Sequence, residues 1–351
     1  MANLFGKKIS KRDLYARTGN ISQFADIRES IISEGNGTGV KLVDIRTGSG
    51  LNLSVLPGKG MDIASCDFKG IPLSWMAPAG ITNPGYYEEQ EDRWVRSFTG
   101  GLLTTCGMTY CGAPCEDEGT ALGLHGRVSN YTAEAVCIEK TWNNDQYEMS
   151  VKGQIRQAAL CNENLVLTRK ITTIMGESKI RITDSIENLG FERQPLMMLY
   201  HFTFGWPMVS EKSRIKANID KTTARPGQVE AEKELNLFNT FPAPQDGYAE
   251  RCYYHNLAGD NNGNTGLMLI NDELELAISM KYNLKQLFNL VEWKQMRSGI
   301  YVLGLEPSNC YLEGRDKAKA DGTLQYIEPG EVKNFDVELE IIEGKENIEK
   351  Y

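Results

Sequence analysis

The sequence predicts an all-β protein, and three observations carry that expectation. Apolar residues alternate with polar ones at the period of a half-buried strand, as in Phe335, Val337, Leu339 and Ile341 against Asp336, Glu338 and Glu340. Turn signals such as Pro57-Gly58-Lys59-Gly60 and Asn188-Leu189-Gly190 separate these runs. Helical periodicity is confined to short scattered pieces.

Residues 1–25 read as an N-terminal extension with a short helix around Ser10 to Arg17, capped by Ser10. Residues 26–345 read as a single β-sandwich domain, since no repeat, low-complexity stretch or linker divides them. Leu51, Leu53 and Val55 mark one strand, and Met61 to Phe68 the next. Residues 77–100 form a long connection of the kind used as a binding loop, with Trp94 and Phe98 four apart on one helical stripe. Leu165, Leu167 and Ile171 mark a further strand, followed by Ile180, Ile182 and Ile186. Asp184 falls on the apolar parity of that last run, so either a bulge turns it outward or it is buried and hydrogen-bonded. Leu274, Leu276, Ile278 and Met280 alternate with Glu273 and Glu275, which predicts a sheet with one wet face. Periodicity alone leaves a sandwich and a barrel both open.

Composition narrows the function. The 351 residues are 41% hydrophobic and 24% charged, as in an ordinary soluble globular protein, and the net charge is −9. That acidity argues against a nucleic-acid or anionic-membrane partner, which needs a basic footprint. No apolar run reaches a membrane span, and Lys7, Lys8, Lys11 and Arg12 precede no signal-peptide core, so a cytoplasmic location is expected. Eight cysteines without an export signal read as free thiols. Cys106, Cys111 and Cys115 lack the spacing of a zinc knuckle and read as a loop with small thiols. The chain has no GxGxxG before a helix, no Gly-Lys-Ser/Thr, no Gly-x-Ser-x-Gly and no HExxH.

What remains is acid–base chemistry. Pro195 to Pro207 is an almost continuous apolar run that reads as a strand buried on both faces and ended by Gly205. Within it His201 is the one group that titrates near neutrality; it is either a hydrogen-bonded core histidine or a proton-transfer group. Gly123-Leu124-His125-Gly126-Arg127 puts an imidazole and a guanidinium two residues apart, on one side if the stretch is extended. Glu306 lies between the strand-like Tyr301–Leu305 and Pro307, at an expected strand end.

At these segments, together with Asp184 to Gly190 and Leu199-Tyr200-His201-Phe202 running on to Gly205-Trp206-Pro207, the chain resembles the aldose 1-epimerase (mutarotase) superfamily. It is most similar to the bacterial aldose 1-epimerase-like branch. The resembling pieces occur in the same order and cover about residues 40 to 342. The resemblance implies a large antiparallel β super-sandwich, galactose mutarotase-like, with a few short helices. It implies an isomerase that interconverts anomers at C1 of an aldose without cofactor or metal, His201 being the acid and Glu306 the base. His125 would bind the sugar near its ring oxygen. The family's Asn-Arg pair upstream of the first histidine has no counterpart here, which leaves Arg127 to supply the cation. Its sugar-binding aspartate is missing too; Glu250, with His255 five residues on, is the nearest substitute. Arg297 and Trp206 complete the expected substrate-binding set, with Trp75 and Trp293 as further candidates for stacking on a sugar face.

An acid and a base working on one ring are expected on opposite sides of a cleft, about 5–8 Å apart. A sugar phosphate usually needs a second cation beside Arg127, and only Lys59 and Arg297 are candidates for it, which favours a neutral or uronic sugar. The expected partner is a small-molecule sugar. The oligomeric state is open, a homodimer being one option. Two other readings stay open: a non-catalytic carbohydrate-binding or sensing protein, and a different sugar isomerase or lyase using the same residues.

Overall fold

Alternation along the strands builds two large antiparallel sheets, which the computed structural model describes over all 351 residues. About 48% of the residues lie in strands and 12% in helices, so the protein is all-β. No helix is long and apolar enough to cross a membrane.

The larger sheet has eleven strands. In spatial order it begins with Ile219–Ala224, Arg251–Leu257, Asn289–Gln295, Val302–Ser308 and Met197–Gly205. It continues through Leu103–Met108, Asp62–Phe68, Leu51–Leu56, Lys41–Arg46 and Asp26–Ile31, and Ile71–Pro72 pairs beside Asp62–Phe68. The smaller sheet has eight strands. Their order is Glu134–Asn143, Gln146–Ala158, Asn164–Ile174, Lys179–Asn188, Val332–Glu343, Leu276–Asn283, Asn264–Asn271 and Ser213–Ala217.

The inner faces of both sheets share one core. Leu53, Val55, Ile63, Phe202 and Leu303 meet Val151, Leu167, Ile182, Ile278 and Val337 in it. Each such side chain, fully buried, stabilises the fold by roughly 1.5–3 kcal/mol. The residues before Asp26 belong to the same core through Ala2, Leu4, Leu14, Ile21 and Ala25. Among them, Ser10 caps the helix Lys11–Tyr15 by accepting from the Asp13 N–H at 3.1 Å.

The strand Met197–Gly205 is buried at every residue, as its apolar run predicts. The period of two divides it between two environments. Met198, Tyr200, Phe202 and Phe204 enter the inter-sheet core, whereas Met197 and Leu199 join a separate cluster on the outer face of the larger sheet. That outer cluster also holds Ala77, Trp94, Phe98, Cys252 and Leu312. The 77–100 connection thus folds over the sheet. Trp94 sits on a single 3-10 turn, Arg93–Arg96, and Phe98 lies just past it, with the two rings stacked at 4.6 Å.

Of the two options for Asp184, the structure takes burial. Its carboxylate accepts from Arg169 Nη2 at 2.6 Å and from Tyr200 Oη at 2.6 Å, and Arg169 also reaches Asp62 at 3.2 Å. On the face expected to be wet in the Leu274–Met280 run, Glu273 and Glu275 are exposed but precede the strand Leu276–Asn283. Along the strand the expectation is corrected: Ala277 and Ser279 are buried. Ala277 packs with Ile342 and with Ile348 of the C-terminal helix Lys345–Lys350, which covers that face. Cys106 lies in the strand Leu103–Met108 rather than in a loop, and all eight cysteines are unpaired.

Candidate active site

Strand parity brings most of the expected site residues to one place. On Met197–Gly205, His201 shares the outer face with Met197 and Leu199. On Val302–Ser308, Leu303 and Leu305 enter the core and Glu306 points outward. On Asn289–Gln295, Trp293 and Gln295 face outward, and Glu250 and Cys252 do so at the start of Arg251–Leu257. These side chains line a cavity of about 550 Å³, which Trp75, Trp94, Phe98, His125, Arg225, Arg297 and Leu312 also wall. His125, His201, Glu306, Glu250 and Arg297 are therefore gathered together, with Trp75 and Trp293.

His201 and Glu306 touch. Nδ1 of His201 lies 3.2 Å from Oε1 of Glu306, and the residues are only 5% and 1% exposed. The two atoms are misaligned for a hydrogen bond, so each is buried without a partner. The expectation of a 5–8 Å separation across a cleft is thus corrected. The hydroxyl and ring oxygens of an anomeric centre are bonded to the same carbon, so two groups in contact can each reach one of them. Gly304 makes room for the carboxylate: a Cβ there would collide with Oε1 of Glu306. The imidazole is ringed by Phe98, Trp293 and His125, at centroid distances of 5.1, 5.5 and 5.9 Å.

The environment favours uncharged forms. Burial, helped by the nearby His125, holds His201 well below the ordinary histidine range. Burial and the Glu250 carboxylate hold Glu306 well above the ordinary carboxylate range, and Arg225 opposes them. One proton shared by the pair is the consistent state, resting on Glu306 in the neutral form and on His201 in the ion-paired form. His125 is pushed down to about 3 by burial, with Arg225 adding to the effect. It is a neutral ring whose Nδ1 lies 3.7 Å from Sγ of Cys111.

Three expected residues lie elsewhere. Arg127 is ion-paired with Glu89 and lines a different cavity, of about 540 Å³. His125 and Gly126 have φ values of 59° and 73°, so the segment is not extended and Arg127 turns away from its neighbour. His255 is five residues from Glu250, an odd offset that puts it on the opposite face of its strand. There it contacts Glu292 at 2.9 Å and Thr222 at 2.9 Å. Trp206 follows the last residue of its strand and is 72% exposed, away from the cavity. Lys59 is no cavity cation either. It is buried, bonded to Thr82, Ser97 and Asn130, and burial pushes it down to about 8.

Arg225, Trp94 and Phe98 were not anticipated as site residues. Arg225 stands just past the strand Ile219–Ala224 and before Pro226-Gly227, a charged residue before proline as Glu306 is before Pro307. Glu306, expected at a strand end, lies within its strand, which runs on to Ser308. The shared proline punctuation is the signal that could have found Arg225. Its Nη2 donates to the Leu312 carbonyl at 3.1 Å, and its Nε is 3.6 Å from Glu313.

A large antiparallel sandwich with its cavity on the outer face of the larger sheet is the galactose mutarotase-like fold. Residues 37–341 match the family described as a domain of unknown function, DUF4432, and the chain belongs to that family. No curated protein matches the sequence. Among solved structures, a "putative aldose 1-epimerase" from Klebsiella pneumoniae superposes with a TM-score of 0.88 at 21% identity, over 92% of this chain and 85% of that one. Galactose 1-epimerase from Lactobacillus acidophilus gives 0.61 at 13% identity, over 91% and 99%. A galactose mutarotase-like protein from Clostridium acetobutylicum gives 0.61 at 16%, over 92% and 99%. The fold expected from the sequence is the fold observed.

Proposed function

We propose that the protein is a sugar isomerase acting at the anomeric carbon, with His201 and Glu306 as its acid–base pair. The observation that carries this reading is the pair itself: a buried imidazole and carboxylate 3.2 Å apart, with unpartnered polar atoms, on the wall of a sugar-sized cavity. In the ion-paired form the Glu306 carboxylate takes the proton of the C1 hydroxyl while protonated His201 gives one to the ring oxygen. The bond from C1 to the ring oxygen breaks, and the free aldehyde forms. Rotation about C1–C2 and the reverse transfers close the other anomer, leaving both groups as they began. The positive charge of Arg225 favours the carboxylate form that starts the cycle. Neutral His125 and the Trp75 and Trp293 rings hold the sugar.

General acid–base catalysis of this kind contributes roughly 10²–10⁴-fold. Exchange NMR of the two anomers of an aldose measures it directly. Glu306→Gln keeps the shape and removes the base, so the catalysed rate falls by about 10²-fold or more while sugar binding survives. A Glu306→Gln protein as fast as wild type removes Glu306 from the reaction. Binding without any exchange in the wild type would identify a carbohydrate-binding protein instead.

A further inference from the structure

Arg297 stands on the cavity wall with its guanidinium making no ion pair and no hydrogen bond, although its backbone is well held. Its carbonyl accepts from the Ile300 and Tyr301 N–H groups at 2.9 and 3.0 Å, and its N–H donates to Gln295 at 3.2 Å. The same turn is tied to the cavity through the Trp75 indole, which donates to the Ile300 carbonyl at 2.6 Å. The guanidinium itself is exposed to solvent at the cavity mouth and free of any ion pair, in a chain whose 47 carboxylates outnumber its 38 lysines and arginines.

The other charges of the cavity are already committed. The two oxygens of Glu250 accept from Trp293 at 3.0 Å and Gln228 at 3.1 Å. His201 and Glu306 share one proton and are neutral as a pair. Arg225 stands beside them with its charge offset by Glu313, 3.6 Å from Nε. Arg297 is therefore the one cation on the cavity wall with no carboxylate partner, in a protein that is acidic overall.

We infer that the substrate is a sugar bearing an oxyanion away from C1, a carboxylate or a phosphate, which Arg297 grips at the cavity mouth. A planar guanidinium matches either group with two parallel hydrogen bonds. The inference rests on the reading of the site as an anomer-exchanging one, and the following experiment separates the two.

Anomer exchange is measured by NMR for D-glucose, D-glucuronate and D-glucose 6-phosphate, with wild type, Arg297→Gln and Arg297→Lys. Binding of the three is titrated on Glu306→Gln in parallel. At least one anion is expected to exceed glucose in kcat/KM by about tenfold or more. That preference falls by about tenfold in Arg297→Gln and is partly kept in Arg297→Lys, which retains the charge without the fork. Which anion is preferred identifies the source of the oxyanion. Glucose handled as well as both anions, or a preference untouched by Arg297→Gln, overturns the inference while leaving the epimerase reading in place. If no sugar exchanges but an anion binds and loses about tenfold in affinity on adding Arg297→Gln, the inference stands and the epimerase reading falls. Failure of both anions to bind overturns it.

Discussion

Glu306 and His201 work, on the proposed reading, as one titrating unit, and their pH behaviour follows from burial. A second proton would charge the pair positively, and burial moves that step well below the ordinary histidine value of 6.5. Losing the shared proton leaves a buried negative charge, which burial moves well above the ordinary glutamate value of 4.5. The singly protonated form therefore spans the interval between these steps, and kcat/KM should stay level through pH 6.5. A pH–rate profile with an acid limb centred at 6.5 would show that His201 titrates as an isolated ring. Gly304→Ala offers a steric check. The new methyl displaces the Glu306 carboxylate from His201, and a misplacement of this kind should slow anomer exchange by about tenfold or more in the same NMR assay. At this scale the sequence showed His125, His201 and Glu306 because turn glycines, a lone histidine in an apolar run and a carboxylate before proline are local signals. Arg127 was misplaced because two successive left-handed residues cannot be read from Gly-Leu-His-Gly-Arg. His255 lies apart from Glu250 because an odd offset along a strand of period two puts the two on opposite faces.

Among the elements, the strand Met197–Gly205 explains how one segment serves both the fold and the site. Its two faces belong to different packing clusters, so the side chain beside each core residue is free to serve the cavity. Beneath it, Arg169 bridges Asp62 and Asp184 with no exposure to solvent. Burial pushes Asp62 up to about 7 even so, with the Arg169 charge opposing it. Removing the arginine leaves carboxylates buried without their cation, so Arg169→Met should destabilise the protein by about 3–5 kcal/mol in denaturant unfolding. The alternation that marked Asp184 as an odd member was legible. Its partner was not, because Arg169 sits in the neighbouring strand and pairing register is a tertiary fact. The covered face of Leu276–Asn283 was missed for a similar reason: the helix that shields it lies some 60 residues further on.

For the molecule as a whole, the two sheets and the first residues of the chain form a single apolar interior. Leu4 is completely buried within it, so Leu4→Ala should cost about 2–5 kcal/mol, measurable as a shift in the unfolding midpoint with little change in its slope. The class of the fold was legible because alternation at a period of two persists through most of the chain. The order of strands was not, since partners distant in sequence leave no local mark. The strand Lys179–Asn188 illustrates what that order entails. One of its neighbours is Val332–Glu343, made more than 140 residues later. At a synthesis rate of about 5–20 residues per second, that edge waits roughly 7–30 s for its partner to be translated. During that interval the growing polypeptide carries an open β-edge at the centre of its smaller sheet, a natural landing place for a chaperone and a hazard where many ribosomes crowd one message.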